Sequence, residues 1–219
     1  MPRVELVYPE TASPETKAAY EEIRADWGGM LFTDWRPLGR SPRIMVAAHK
    51  LFFNLQGEKG GSLTDVQDKE LVAIKTSYMN GCEYCLGHNV DFGQTVGLTL
   101  EQIRAACRPD YAESDVLSPR QKDLLRWTEA VTLNTAEEDD EAFDAMRSHY
   151  ADAEIAELTL MSGLFNMWNR FTRALHIELE PAEERELAAC LARTPPVRAK
   201  GEVRAGSEPA ANAGTGGRR

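Results

Sequence analysis

Cys82 and Cys85 are the pair in this sequence whose type and spacing most directly imply chemistry. They follow an Asn80-Gly81 break and precede His88. On a helix restarting at that break, residues three apart share one face. A cysteine in the first turn lies beside free backbone N–H groups at the positive end of the dipole, which favours its thiolate. Such a pair supports reversible thiol–disulfide exchange. One thiolate attacks and the other resolves, and the short separation protects the first from overoxidation. By position alone Cys82, nearer the helix start, is the more acidic thiol. His88 reaches the same side of the helix as Cys85 and can take or return a proton. Tyr84, between the cysteines, can donate a hydrogen bond or simply pack.

Glu70 lies on the preceding helix, behind the tight turn, and an antiparallel return brings it toward the cysteines. It sits at the edge of an apolar stripe of Leu71, Ile74 and Tyr78. Burial there would raise its carboxyl and fit it to act as a base near neutral pH.

The elements that must hold these groups read as helices. Ser13-Pro14-Glu15 starts one that runs to about Trp27, and Ser41-Pro42 starts another over IMVAAHKLFFNLQ. Thr64-Asp65-Val66-Gln67 reads as a capping box for the Glu70 helix. The cysteine helix runs to about Val96. Thr99 caps a short helix through Cys107, Ser118 the next, and Thr135–Glu138 repeats the signature ahead of a helix with an acidic first turn. Asp152 caps the longest helix, which reaches about His176 and has almost no clean polar face. Asn166, Asn169 and Arg170 are its polar exceptions, as core hydrogen-bonding groups or pocket lining. His49 reads as a packing histidine. The loop MLFTDWRPLGR carries Met30, Leu31, Phe32 and Trp35, either packed on the body or serving as a lid or subunit contact. Pro181 starts a last helix to about Ala192, and 195–219 reads as a disordered tail. No segment alternates as a strand does. The expectation is an all-α chain of seven or eight helices, one domain over 1–194.

The chain has 219 residues, 42% of them apolar, and a formal net charge of -10. That balance argues against nucleic acid or an anionic membrane as partner. No signal peptide and no membrane span are read, so a cytoplasmic protein is expected. A zinc site needs four ligands, usually as two pairs. Cys107 and Cys190 are isolated and read as small buried apolar residues, so no metal and no cofactor are expected.

Glu70, then Cys82-Glu83-Tyr84-Cys85, then a histidine: this pattern resembles the AhpD-like alkylhydroperoxidase / carboxymuconolactone decarboxylase family. The likeness is strong over roughly Pro42 to Phe92, and EIAELTLMSGLFNMWNRF is similar to the family's later long helix. The resemblance implies an all-helical fold assembled as trimers or hexamers. Members with the cysteine pair reduce organic peroxides, with electrons arriving through a lipoyl carrier protein. The muconolactone-decarboxylating branch lacks the pair. Carried over, Cys85 would be the thiol oxidised to a sulfenate and Cys82 the resolving one. Glu70 would be the base, through water or a histidine. One position departs: the family histidine stands four residues after the second cysteine, where this chain has Asn89, and His88 stands one earlier.

The reading is a thiol-dependent peroxidase taking an organic peroxide or other small molecule, reset by an external dithiol or lipoyl-type reductant, and a homo-oligomer. One alternative is a lyase, decarboxylase or isomerase on a small carboxylate, using Glu70 and His88 as acid and base. Another is a non-enzymatic redox sensor.

Overall fold

A computed structural model describes residues 1–57 and 60–181. Among them are eight α-helices: α1 Pro14–Asp26, α2 Pro42–Gln56, α3 Val66–Met79, α4 Glu83–Thr95, α5 Leu100–Ala106, α6 Pro119–Leu133, α7 Asp140–Arg147 and α8 Asp152–Ala174. Three short 3-10 turns, at Thr33–Leu38, Tyr111–Glu113 and Ala136–Glu138, complete the described structure, and no strand occurs among these residues. The fold is all-α, as the periodicity implies. The expected last helix, the tail and Cys190 lie outside the described residues.

α3 is the axis of the molecule. It packs against α4, α6 and α8 and touches α2 and α5. Every residue from Asp68 to Ser77 is therefore buried, not one stripe alone. Tyr78, expected on the buried stripe, is exposed, because it lies where α3 leaves its neighbours. The charges on this helix are matched within the core. Lys75 Nζ sits 4.1 Å from the Tyr111 ring centroid and 3.9 Å from Glu129, and Asp68 pairs with Arg120.

The capping signals were read well where the partner is local. Ser13, Thr99 and Ser118 accept from backbone N–H groups of their own helices, the last two in full capping boxes. Thr64 differs. The cap of α3 is Asp65, which accepts from Gln67 N, while Glu157 of α8 takes the N–H groups of Leu63 and Thr64. A carboxylate from a distant helix displaced the local box. Ser41 makes no side-chain cap, Asp139 rather than Thr135 caps α7, and Ala151 rather than Asp152 occupies the N-cap of α8.

Two chain reversals place the site. Gly81, at φ 62°, turns the chain between α3 and α4 in a conformation that costs glycine little. After α8, His176 at φ 54° turns the chain back, with Ile177 N–H bonded to Thr172 O at 3.0 Å. Residues 177–181 then lie along α4. Gly87 permits this approach, since a Cβ there would come within 2.5 Å of Leu179. The described helices include none long and apolar enough to cross a membrane.

Candidate active site

Cys82 is the N-cap of α4, its Sγ accepting from the backbone N–H of Cys85 at 3.3 Å. Both cysteines are free thiols and buried. Their sulfurs share a hydrogen bond at 2.8 Å, and Thr172 Oγ1 of α8 stands 3.1 Å from Cys82 Sγ and 3.5 Å from Cys85 Sγ. The hydrogen bond with Cys85 is the main influence that lowers Cys82, to about 6, helped against burial by Thr172, the Cys85 N–H and the Arg173 charge. Cys85 moves the other way: its bond to Cys82, burial and the neighbouring thiolate all raise it. Cys82 is thus the more acidic thiol of the pair, chiefly through its contact with Cys85.

Access divides the thiols in the opposite sense. A cleft opens at Cys85, with Asp34, Gln56, Tyr84, His88 and Asn89 as its polar lining and otherwise aromatic walls. Cys82 does not line it. Tyr84 is both a donor and packing: its hydroxyl reaches Glu180 Oε1 at 3.1 Å and accepts the Asp34 N–H at 3.2 Å, while its ring meets His88 edge-on at 4.7 Å. His88 Nε2 pairs with Glu180 Oε2 at 2.7 Å, and the Thr33 N–H donates to Glu180 Oε1 at 2.7 Å. Burial opposes charge on Glu180, but the His88 and Thr33 bonds more than offset it and hold the carboxyl down at about 2. Asp34 goes up, to about 6, because it is fully enclosed; Trp168 Nε1–H, at 2.7 Å from Oδ2, only partly relieves it.

The other side of the thiols is built from amides and hydroxyls. Glu70 is buried and burial raises it to about 7 against a 2.7 Å hydrogen bond from Gln56 Nε2. Its Oε2 has no hydrogen-bond partner among the described residues. Gln56 Nε2 also reaches Asn89 Oδ1 at 3.3 Å. Asn89 Nδ2 donates to Ser77 Oγ at 3.4 Å, and Asn169 Nδ2 donates to the same oxygen at 3.1 Å. Asn169 in turn accepts from Asn80 Nδ2 at 2.9 Å and helps to lower Cys85. No member of this chain between Glu70 and the thiols titrates near neutrality. Asn89, in the place of the family histidine, acts as a clamp.

Of the expected site residues, Cys85, Tyr84 and His88 therefore meet at the cleft, with Cys82 directly behind Cys85. Glu70 is set back, joined to the cleft through Gln56. Asn169 proves to be a core hydrogen-bonding group beside the thiols, and Arg170 binds Asn166 on the exposed side of α8. His49 is a packing histidine, with Asp26 at 2.7 Å and the Trp27 N–H at 3.3 Å. The aromatic loop is both packed and site-forming: Trp35 is buried and Phe32, Asp34 and Trp35 line the cleft. Asp34, Gln56, Thr172 and Glu180 were not foreseen. Only Asp34 carried a signal, its place in that loop. Cys107 is half-buried and burial raises it to about 11. Among the described residues no three His, Cys, Asp or Glu side chains are grouped to hold a metal ion.

The family model for the carboxymuconolactone decarboxylase family matches residues 47–130. Uncharacterized protein YdfG of Bacillus subtilis (strain 168) is 32% identical over 108 residues, which are 49% of this chain and 72% of that protein. A crystal structure from Agrobacterium tumefaciens, of a protein of unknown function provisionally described as antioxidant defence protein AhpD, aligns with TM-score 0.59 at 26% identity, covering 66% of this chain and 95% of its own. An uncharacterized peroxidase-related protein from Silicibacter sp. TM1040 aligns with TM-score 0.70 at 20% identity, over 84% and 94% of the two chains. The debrominase Bmp8, as a cysteine-to-alanine variant in complex with 2,3,4-tribromopyrrole, aligns with TM-score 0.69 at 20% identity, over 84% and 95%.

Proposed function

The chain belongs to the carboxymuconolactone decarboxylase family with an AhpD-like helical fold, and on the chemistry of its site we propose that it is a thiol-dependent peroxidase reducing organic hydroperoxides. The observation that carries this reading is a pair of free thiols 2.8 Å apart, one opening onto an apolar cleft and the other holding the charge behind it. Cys82, as thiolate, takes the proton of Cys85 across that contact. The Cys85 thiolate attacks the distal oxygen of the peroxide and the O–O bond breaks. The departing alkoxide leaves as the alcohol with a proton from His88, which Glu180 holds at the cleft. Cys85 is then a sulfenic acid. Cys82 attacks that sulfur and gives the proton it took to the departing hydroxide, so a disulfide forms and water is lost. An external dithiol, of lipoyl type by family resemblance, accepts the disulfide's oxidation and restores both thiols.

A second reading uses the same thiols on an aromatic halide, removing halogen reductively. The aromatic walls of the cleft and the debrominase likeness support it. The acid–base alternative has less support, since Glu70 and His88 do not face one ligand. Exposed Leu160 and Met167, seven residues apart on α8, support a homo-oligomer, which sedimentation at micromolar concentration reads directly.

The test of the peroxidase reading is consumption of tert-butyl hydroperoxide by catalytic amounts of protein with dihydrolipoamide as reductant. Saturable turnover is expected. Minutes of exposure without consumption, with both thiols still titratable, would sink it.

A further inference from the structure

Asp34 has no part in the steps above, yet it is held in the cleft through both its backbone and its side chain. It stands in the turn Thr33–Leu38, and its two carboxylate oxygens are treated differently. Oδ2 accepts from Trp168 Nε1 at 2.7 Å. Oδ1 is buried and accepts no hydrogen bond of ordinary geometry among the described residues, although the Tyr84 hydroxyl lies near enough to favour the charged carboxyl. The residue cannot readily turn away, because its own N–H is held on the Tyr84 hydroxyl at 3.2 Å and Trp168 fixes the other oxygen. A buried acceptor left without a donor is costly. A ligand in the cleft would supply what the protein does not.

The rest of the cleft says what that ligand is. Trp27, Phe32, Trp35, Phe92, Phe165 and Trp168 all line it, many of them meeting at tilted or edge-on angles that leave ring surface to the space between. Such walls favour flat, polarisable guests.

We propose that the cleft binds a flat aromatic or heteroaromatic molecule carrying a single N–H or O–H group, and that Oδ1 of Asp34 accepts that hydrogen, making Asp34 the residue that selects the ligand. This deepens the thiol reading, because Cys85 opens onto the same space. Asp34 orients the ring and the sulfur meets whatever electrophilic atom the ring bears. A cationic amine could also satisfy a carboxylate, but the surroundings favour a neutral donor. A buried cation loses its hydration among apolar walls, and burial already disfavours the Asp34 charge. The nearby carboxylate, Glu180, stands behind His88 and is engaged by it.

The experiment uses paired probes that differ only in the donor: phenol against anisole, and pyrrole against N-methylpyrrole. Each is titrated into reduced wild-type protein and followed by the indole N–H signals of its tryptophans, with Trp168 as the reporter beside Asp34. Phenol and pyrrole are expected to bind about tenfold or more tighter than their methylated partners. Asp34→Asn keeps an acceptor for Trp168 and turns an amide N–H toward the ligand. It is expected to bring each pair within about twofold. Equal binding within each pair by the wild type overturns the proposal, and that arm stands even if the variant fails to fold. A preference unchanged in a folded Asp34→Asn protein also overturns it, as does benzylamine binding more tightly than phenol. Disulfide formation with tert-butyl hydroperoxide, which has no ring, is read separately on the same samples. It reports on the thiols alone, so the two readings fail independently.

Discussion

The thiol pair stands between titratable groups at the cleft and a run of amides and hydroxyls, two of which, Gln56 and Asn89, also reach the cleft. Cys85 faces Asp34, His88 and, through His88, Glu180. Behind it run Thr172, Asn169, Ser77, Asn89 and Gln56, ending at Glu70. Both sides are buried, and burial alone raises a carboxyl on each, Asp34 and Glu70. A raised carboxyl is therefore not by itself the mark of a proton donor. What differs is connection: the cleft groups can hand a proton to a ligand, whereas an amide chain holds position without passing one. On this account the cleft side does the acid–base work and the core side fixes the sulfurs.

The largest expected effect breaks the cleft side. Glu180→Gln removes the charge that holds His88, and disulfide formation with an organic peroxide should slow by about tenfold to a hundredfold, measured by stopped-flow tryptophan fluorescence. An unchanged rate would remove His88 from the chemistry. The same variant has a stability signature. The Glu180 carboxyl, held at about 2 against an ordinary 4.5, contributes stability that is complete above the ordinary value and lost as pH falls toward about 2. Acid unfolding of the variant should begin without that loss.

The next effect would open the core side. Asn89→His places a titratable ring between Gln56 and Ser77 and should raise the peroxide rate by about tenfold, with a new limb in its pH profile. If the rate stays put while the fold is intact, Glu70 is out of proton reach whatever bridges it.

The smallest effect on rate is expected from Glu70→Gln, less than about threefold. Its effect is on stability. Between the ordinary 4.5 and about 7 the folded protein keeps a proton that the unfolded chain releases, so stability falls as pH rises through that window. Glu70→Gln should remove about 2–3 kcal/mol of that fall, leaving the part due to Asp34. Denaturant titrations at pH 5 and pH 7.5 would show it; an unaltered slope would contradict the buried environment assigned to Glu70.

What the sequence reveals follows the distance over which each residue's environment is set. Cys82, Tyr84, Cys85 and His88 share one helix start, so spacing was enough to group them; the acidity of Cys82 owes most to its hydrogen bond with Cys85. Ser13, Thr99 and Ser118 cap with partners three residues on, and they too were legible. Thr64 was not, because its partner Glu157 comes from another helix. Tyr78 kept the right spacing and is still exposed, because five helices crowd most of α3 but not its end. Glu180 and Asp34 reach the cleft only through the reversal at His176 and the turn after Phe32. Only the aromatic loop around Asp34 hints at its place; nothing in the residues beside Glu180 announces it. Asn89 was visible as a departure from the family pattern, but its role as a clamp needed Gln56 and Ser77 beside it.

The central claim is that the thiol on the cleft, not the more acidic one behind it, meets the substrate. Cys82→Ser and Cys85→Ser proteins, each reduced and given one equivalent of tert-butyl hydroperoxide with a sulfenate-trapping dione, should be followed side by side by intact mass over seconds. The account predicts a trapped sulfenate on Cys85 in the first protein, formed more slowly than the wild-type disulfide because Cys82 no longer takes its proton, and none on Cys82 in the second over the same time. A Cys82 sulfenate forming as fast in the Cys85→Ser protein would contradict it, and would mean that acidity, not access, decides which sulfur attacks.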